Sequence, residues 1–160
     1  MMRILGIDPS IRGTGFGIID LKKTNICSVI VSGTIKVPAK IPQSQALAQV
    51  SNALETLIRE HQPDEAAIEK IIYVQSIRTA ITMGSARGAA LTALGKFKIT
   101  VTEYPAKTIK SAVTGTGGAQ KDQVAFMIRA LLGMDRTPDP DEGDALAIAI
   151  THARRLKAVS

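Results

Sequence analysis

The fold is decided by MRILGIDPSIRGTGFGIID, residues 2–20, which contains two apolar runs separated by a turn. The run 4–7 is rich in β-branched residues and is typical of a buried strand that ends at Asp8. A second strand begins at 16–19, so we expect the two strands to pair as a hairpin.

Three glycines, Gly13, Gly15 and Gly17, alternate at the start of the second strand. They leave one face of that strand without side chains, which permits close approach by a ligand or another backbone. A carboxylate beside this face, such as Asp8, would be accessible while held on a rigid element. Asp8 is equally well explained as a turn residue before Pro9, and only carboxylates in comparable places can decide between the two.

The spacing of apolar residues predicts three more strands and five helices after the hairpin. The strands are 26–37, 65–69 and 99–103, and the helices are about 43–61, 76–95, 105–113, 120–132 and 140–156. Three strands that can form an antiparallel meander, followed by two that are entered through helices, indicate an α/β fold. It is a mixed five-stranded sheet with helices on both faces, the architecture of ribonuclease-H-like domains.

The 160 residues are consistent with one domain, 1–160, since the chain shows no repeat, low-complexity tract or interdomain linker. The single cysteine, Cys27, excludes an internal disulfide and a cysteine-based metal cluster. We recognise no signal peptide and no apolar run that approaches the roughly 18 residues of a membrane span. We therefore expect a cytoplasmic protein.

Basic residues are concentrated in the middle of the chain. Between Lys70 and Lys121 there are eight lysines or arginines and one acid, Glu103, a net charge of +7. The twelve basic and thirteen acidic residues elsewhere nearly cancel. An excess this localised favours a polyanionic partner, with a solvated helix face as the alternative.

Three further carboxylates lie at the ends of apolar segments. Glu69 ends a strand predicted to be buried, where an ionised group needs a partner or a metal, although a solvent-facing strand end is the commoner explanation. Asp141 and Glu142 are consistent with ordinary first-turn acids of the final helix. Asp144 immediately precedes six apolar residues and, three positions after Asp141, leaves the same helix face.

The predicted topology places the first strand at the centre of the sheet, the strand of Glu69 beside it and the final helix across their ends. Asp8, Glu69, Asp141 and Asp144 can then converge, and their mutual repulsion calls for cations. All-oxygen ligation favours Mg²⁺ or Mn²⁺ over zinc. Two such ions about 3.5–4 Å apart are usual for in-line phosphodiester hydrolysis. An acidic metal site amid basic residues therefore predicts a nuclease.

Taken together, the motifs resemble those of the RuvC family of Holliday-junction resolvases, and the match runs from Ile4 to His152. Its pieces are Gly6-Ile7-Asp8-Pro9 with Arg12, Thr14-Gly15-Phe16-Gly17, Ala67-Ile68-Glu69, Met83-Gly84-Ser85-Ala86-Arg87-Gly88, Val113-Thr114-Gly115 and Asp141-Glu142-Gly143-Asp144-Ala145-Leu146-Ala147-Ile148-Ala149. The resemblance implies that Asp8, Glu69, Asp141 and Asp144 are the metal ligands. It also implies a homodimer that makes two symmetric nicks across four-way junction DNA. A branch-migration motor complex is the further partner to consider.

The resemblance also places Lys110 and Lys121 where the family has basic residues near the scissile phosphate. Lys121 follows the glycine loop 115–118 and opens a helix, so it can move onto the transition-state charge after DNA binds. We therefore count Lys121 with the catalytic residues. A solvated first-turn lysine is the alternative.

Other basic residues are candidate phosphate contacts, namely Arg78, Arg87 and Lys107, together with Lys110. Arg87 lies between Gly84 and Gly88 in the sequence and can instead serve a helix interface. The two glycines cost helix stability, which favours close packing of this helix against a neighbouring helix or subunit.

The chain departs from the family pattern three residues after Glu69. Family members commonly carry an aromatic there that wedges or stacks against junction bases, whereas this chain has Ile72 followed by Tyr73. Ile72 as an apolar wedge, Tyr73 as its replacement, and packing of either in the core all stay open. His152, two turns after Asp144, is similarly either near the metals or packed in the core.

The predicted function is therefore a metal-dependent, structure-specific endonuclease that resolves four-way junctions. One alternative is a nucleotide-binding domain of the actin-like and sugar-kinase class, because Gly-Ile-Asp before a glycine-rich hairpin also opens those domains. Their second phosphate-binding half does not fit within 160 residues. The other alternative is a junction-binding protein without catalysis, against which the presence of all four carboxylates argues.

Overall fold

The computed structural model describes residues 1–23 and 27–159. The strands in these residues are β1 (Met2–Asp8), β2 (Gly13–Leu21), β3 (Cys27–Lys36), β4 (Glu65–Glu69) and β5 (Thr100–Tyr104). The helices are α1 (Gln43–His61), α2 (Ile77–Lys96), α3 (Ala106–Thr114), α4 (Lys121–Leu132) and α5 (Pro140–Val159). The order and type of the predicted elements are confirmed, while Ile26 of the predicted third strand lies outside the described residues. Within the described part of the chain we find no helix with the length and hydropathy needed to span a bilayer.

The strands form one sheet in the order β3-β2-β1-β4-β5, which places β1 at its centre as predicted. β2 is antiparallel to both β1 and β3, whereas β1, β4 and β5 run parallel. The carboxyl ends of the three parallel strands therefore meet on one side of the sheet. We call this side, formed by Asp8, Glu69 and Tyr104, the carboxyl edge.

Helices cover both faces of the sheet, and successive side chains of β1 enter different cores. Ile4 belongs to the core that includes Leu146 of α5 and residues of α3 and α4. Leu5 belongs to the other core, which includes Leu54 of α1 and residues of α2. All four side chains are fully buried. The central strand is thus fixed from both sides, and so is the direction of the residue that ends it.

Helix α5 lies directly on the backbone of the two central strands because glycines leave room for it. A Cβ atom placed on Gly6 would overlap the carbonyl oxygen of Ala145, and one placed on Gly15 would overlap that of Asp141. The bare strand face expected from the sequence is therefore used by another backbone. This contact brings the first turn of α5 to the carboxyl edge.

Candidate active site

Asp8 and Glu69 end two adjacent parallel strands, β1 and β4. The strand register aligns the residues that precede them, so both acids lie side by side at the carboxyl edge. Two residues earlier, Gly6 contacts α5 and Ala67 belongs to the core on the α5 side. Because side chains alternate along a strand, Asp8 and Glu69 also face α5. Both are half-buried.

Asp141 and Asp144 lie at the start of α5 and are exposed. The main chain of Asp141 rests on Gly15, which is the partner of Asp8 in the β1–β2 hairpin. Asp144 follows one turn later, so both carboxylates leave the helix on the side of the strand ends. The structure thereby brings a second pair of acids to the pair on the sheet.

Burial and the charges of neighbouring acids raise the pKa of three of these carboxyl groups, those of Asp8, Glu69 and Asp144. Burial and the charges of the other three acids, Asp144 foremost, raise the pKa of Asp8 to about 7. Burial and the charge of Asp144 raise the pKa of Glu69. Burial and the charge of Asp141 raise the pKa of Asp144. A carboxylate whose ionisation is opposed by its neighbours is stabilised by a cation.

The acids form an open arrangement. Within residues 1–23 and 27–159, no three aspartate, glutamate, histidine or cysteine side chains are gathered into a ready-made metal-binding cluster. Repulsion between like charges favours such separation. The donors are nonetheless all carboxylate oxygens, which Mg²⁺ and Mn²⁺ prefer, and Mg²⁺ ordinarily completes its coordination with water and phosphate oxygens. The residues present therefore fit a divalent cation in their chemistry.

Two lysines approach the acids from the helices that follow β5. The charge of Lys110 in α3 counteracts the rise in the pKa of Glu69, and that of Lys121 in α4 counteracts the rise in the pKa of Asp144. Gly115 ends α3 with a φ of 85°, a conformation that suits glycine and lets the chain turn towards α4. Both lysines are exposed and therefore accessible to an anion bound at the acids.

A cleft of about 310 Å³ opens beside the strand ends, and Asp8, Glu69, Ile72, Tyr73 and Arg87 are among its lining residues. Ile72 is 73% exposed and Tyr73 is 82% exposed. Packing of these side chains in the core, one of the three readings left open by the sequence, is thus wrong. Two large apolar side chains stand in solvent next to the acids.

The remaining predicted DNA contacts differ in their surroundings. Arg78 and Lys107 are exposed at the starts of α2 and α3. Arg87 instead points to the end of β4, where its guanidinium contacts Glu69 and Glu103. A guanidinium held in this way stabilises the strand end that carries Glu69.

His152 is packed in the core. Its ring is 2% exposed, its Nδ1 is 2.7 Å from the Tyr104 hydroxyl and its Nε2 is 2.8 Å from Glu65 Oε2. Glu65 begins the strand that Glu69 ends. His152 therefore lies towards the opposite end of β4 from the four acids, and of its two predicted locations the core is correct.

Sequence reasoning missed the environment of Glu142. Glu142 is a first-turn acid of α5, as interpreted, but its side chain is 1% exposed and forms an ion pair with Arg136. Glu142 also accepts a hydrogen bond from Ser32 in β3. The spacing of acids near a helix start carries no signal that separates an exposed carboxylate from one paired with a distant strand.

The sequence of this chain matches a known protein family. The model of the family described as crossover junction endodeoxyribonuclease RuvC matches residues 4–152. The chain belongs to the RuvC family. The resemblance inferred from the motifs is confirmed, and with it the predicted enzyme class, an endodeoxyribonuclease.

Individual RuvC proteins are similar over nearly the whole chain. The crossover junction endodeoxyribonuclease RuvC of Akkermansia muciniphila is 46% identical over 153 residues, covering 94% of this chain and 90% of that protein. The RuvC of Bordetella petrii is 45% identical over 152 residues, covering 95% and 83%.

Solved structures agree with the ribonuclease-H-like fold. Thermus thermophilus RuvC, in complex with a Holliday junction substrate, superposes with a TM-score of 0.93 at 29% identity, covering 99% of this chain and 97% of that one. The yeast mitochondrial Holliday junction resolvase Ydc2 gives a TM-score of 0.68 at 14% identity, covering 98% and 81%, a likeness of fold alone. The predicted fold class is confirmed.

Proposed function

We propose that this chain resolves four-way DNA junctions by metal-dependent phosphodiester hydrolysis in recombination and repair. The observation that carries the proposal is the environment of Asp8 at the carboxyl edge, where burial and the charges of Asp144, Asp141 and Glu69 raise its pKa to about 7. The junction bound by Thermus thermophilus RuvC supports the substrate class. We further infer a single nuclease domain, 1–160, that acts in the cytoplasm.

The same four acids would hold the metal, two Mg²⁺ ions per site with Mn²⁺ as a substitute. Asp8, whose pKa is raised by burial and by all three other acids, would be one of these ligands. The chemistry that bound Mg²⁺ supplies at such a site is activation of water and neutralisation of charge on the phosphodiester. Hydrolysis leaves a 5′-phosphate and a 3′-hydroxyl.

Lys110 and Lys121 would act on the phosphate that enters this site. The charge of Lys110 acts on Glu69 and that of Lys121 acts on Asp144, so both ammonium groups would attract a phosphate that binds beside these acids. Positive charge placed where negative charge develops stabilises a transition state. Lys121 begins a helix behind the glycine loop 115–118, and movement of that loop would bring it into position after DNA binds.

The surface around the cleft suits a distorted junction. Arg78 and Lys107 are exposed and offer phosphate contacts, which position DNA without reading its sequence. Ile72 and Tyr73 project from the cleft wall. We propose that one of the two wedges or stacks against unpaired bases at the branch point.

A second copy of the chain would supply the second nick. Ile77 is 81% exposed and Ile81 is 63% exposed on α2. Among the described residues, no atom outside the helix's own nearby backbone lies within 4 Å of a Cβ built on Gly84 or Gly88. The face that the glycines leave open is thus available to another subunit, as in a homodimer. Delivery of the junction by a branch-migration motor complex belongs to the same proposal.

The test is cleavage of a four-way junction with each strand end-labelled in turn. We expect paired nicks at symmetric positions in Mg²⁺ or Mn²⁺, none in EDTA, and loss of cleavage in Asp8→Asn with binding retained. Glu60→Gln, which removes an exposed acid on α1, is the matched control and should cleave like the parent chain. Full cleavage by Asp8→Asn would refute the assigned site, and tight binding without nicks would favour the non-catalytic alternative.

A further inference from the structure

Glu142 lies between two of the proposed metal-binding acids in the sequence but turns away from them. Asp141 and Asp144 are exposed at the carboxyl edge, whereas the Glu142 side chain is 1% exposed. A buried carboxylate is costly unless it is paired and hydrogen-bonded. The groups that surround Glu142 must therefore stabilise its charge.

Each oxygen of the Glu142 carboxylate accepts two hydrogen bonds. Oε1 accepts from Arg136 Nη2 at 2.7 Å and from Ser32 Oγ at 2.6 Å. Oε2 accepts from Arg136 Nη1 at 2.9 Å and from the main-chain N of Asp139 at 3.1 Å. Burial alone would raise the pKa of Glu142, but these bonds hold it below its ordinary value. The carboxylate is thus fully satisfied as an anion.

The donors come from two separate segments. Arg136 and Asp139 belong to the loop before α5, and Ser32 belongs to β3. Ser32 pairs with Gly17 across the β2–β3 ladder. The first turn of α5 already lies on the bare backbone of β2 at Gly15, so Glu142 extends that contact to the next strand. We call Glu142, Arg136 and Ser32 the α5 clamp.

The clamp acts at the start of α5, where a small displacement of the helix would move Asp141 and Asp144. Helix ends fray, and the first two turns of α5 carry Asp141 and Asp144, whose charges repel that of Asp8 on the sheet. A first turn that lifted or rotated would move Asp141 and Asp144 away from their partners. Hydrogen bonds from a strand, a loop and a backbone amide oppose both movements.

We propose that the α5 clamp is a positioning device that keeps Asp141 and Asp144 facing Asp8 and Glu69, so that the four acids can take up the metal together. This inference rests on the proposed function, since it presumes that these acids bind the metal. Supporting groups of this kind ordinarily change metal affinity or activity about 10–100-fold when replaced. Glu142, Arg136 and Ser32 need not touch metal or DNA.

The test compares Glu142→Gln and Arg136→Ala with a matched control, Glu55→Gln. Glu55 is also a buried carboxylate, 7% exposed, and it is paired with Arg59 and Lys96 on the face of the sheet away from α5. Replacement of either glutamate removes one buried charge that has basic partners. Only the Glu142 variant alters the start of α5.

We expect Glu142→Gln and Arg136→Ala to weaken Mn²⁺ binding to the DNA-free protein, followed by electron paramagnetic resonance, by about tenfold. The Mg²⁺ concentration for half-maximal cleavage should rise in parallel, and amide hydrogen exchange should accelerate in residues 141–145. Glu55→Gln should change none of these readouts. Arg136→Lys keeps the positive charge but cannot donate to both Glu142 oxygens as the guanidinium does. Its Mn²⁺ affinity should therefore lie between those of Arg136→Ala and the parent chain.

Two kinds of failure are distinguishable. Mn²⁺ affinity in Glu142→Gln and Arg136→Ala equal to that of Glu55→Gln would overturn the clamp while leaving the metal site in place. Mn²⁺ binding that does not depend on Asp8 would instead overturn the proposed function. If Glu142→Gln fails to fold, Ser32→Ala and Arg136→Lys carry the same comparison, because each leaves the carboxylate most of its donors.

Discussion

The guanidinium of Arg87 donates a hydrogen bond to the main-chain carbonyl oxygen of Glu69, with Nη1 2.8 Å from the oxygen. Its Nη2 lies 2.5 Å from Oε1 of Glu103 in β5. One side chain of α2 thus ties together the ends of two parallel strands. Since the Arg87 side chain is 15% exposed, it is enclosed by these contacts and supports the backbone that presents Glu69.

We predict that Arg87→Ala reduces cleavage of bound junction about tenfold or more with little loss of junction affinity, because Glu69 loses the support of its main chain. Single-turnover cleavage and binding in Ca²⁺ measure the two effects separately. Arg78→Ala is the matched control. Its exposed guanidinium is a candidate phosphate contact, so its loss should weaken binding and lower the salt dependence. If Arg87→Ala instead weakens junction binding and lowers its salt dependence, Arg87 contacts a phosphate, as predicted from the sequence.

The close contact between α5 and β2 predicts a large effect of one methyl group. In Gly15→Ala the new Cβ would overlap the carbonyl oxygen of Asp141, which is backbone and cannot rotate away. We expect a loss of about 1–3 kcal/mol in the free energy of unfolding, as for other overpacked sites. Urea denaturation measures it.

Gly88→Ala provides the comparison for Gly15→Ala. Among the described residues, none outside the local helix backbone approaches a Cβ at Gly88, and alanine is favoured over glycine within a helix by about 1 kcal/mol. The isolated subunit should therefore be stabilised. Equal stabilities of the two alanine variants would contradict the direct packing of α5 on the strand.

The fold could be predicted because its signals are local. Apolar residues in the predicted helix 43–61 repeat with helical spacing, and α1 has the same bounds. The hairpin of residues 2–20 and the two helical crossovers leave few ways to arrange five strands. Asp8 and Glu69 could be placed for the same reason, since carboxyl ends of adjacent parallel strands meet at one edge.

The supporting contacts could not be predicted because they join residues far apart in the sequence. Ser32 and Glu142 are 110 positions apart, and the bond between them depends on side-chain directions that apolar spacing does not report. The links from Arg87 to Glu69 and from His152 to Glu65 are of the same kind. In each case the two polar groups are close together only when the helices are packed on the sheet.

The exposed face of α2 predicts the effect of a charge on assembly. Ile81→Glu is expected to convert a homodimer into monomers, because a carboxylate buried in an apolar interface lacks a partner. Analytical ultracentrifugation across a concentration series measures the change. Phe126→Glu is the matched control, since Phe126 is 67% exposed on α4 and Ile81 is 63% exposed. Dimers that persist in Ile81→Glu, or monomers in Phe126→Glu, would show that the interface does not lie on α2.

The ion pair between Arg3 and Asp20 predicts how stability changes with pH. Arg3 Nε lies 2.8 Å from Asp20 Oδ1, and Nη2 lies 2.9 Å from Oδ2. The hydrogen bond from Arg3 holds the pKa of Asp20 below its ordinary value, against the opposing effect of burial. The unfolded chain therefore takes up this proton at a higher pH than the folded protein does.

The stabilisation from Asp20 should accordingly be complete above the ordinary aspartate pKa of about 3.9 and disappear as the pH falls through the lower pKa of the folded state. At pH 7 we expect Asp20→Asn to lose about 1.5–3 kcal/mol in the free energy of unfolding, as for other hydrogen bonds to charged groups. Urea denaturation of both proteins from pH 7 to pH 3 measures the difference, which should narrow only at the acidic end. A difference that stays constant over this range, or widens on acidification, would show that the ion pair does not favour ionised Asp20.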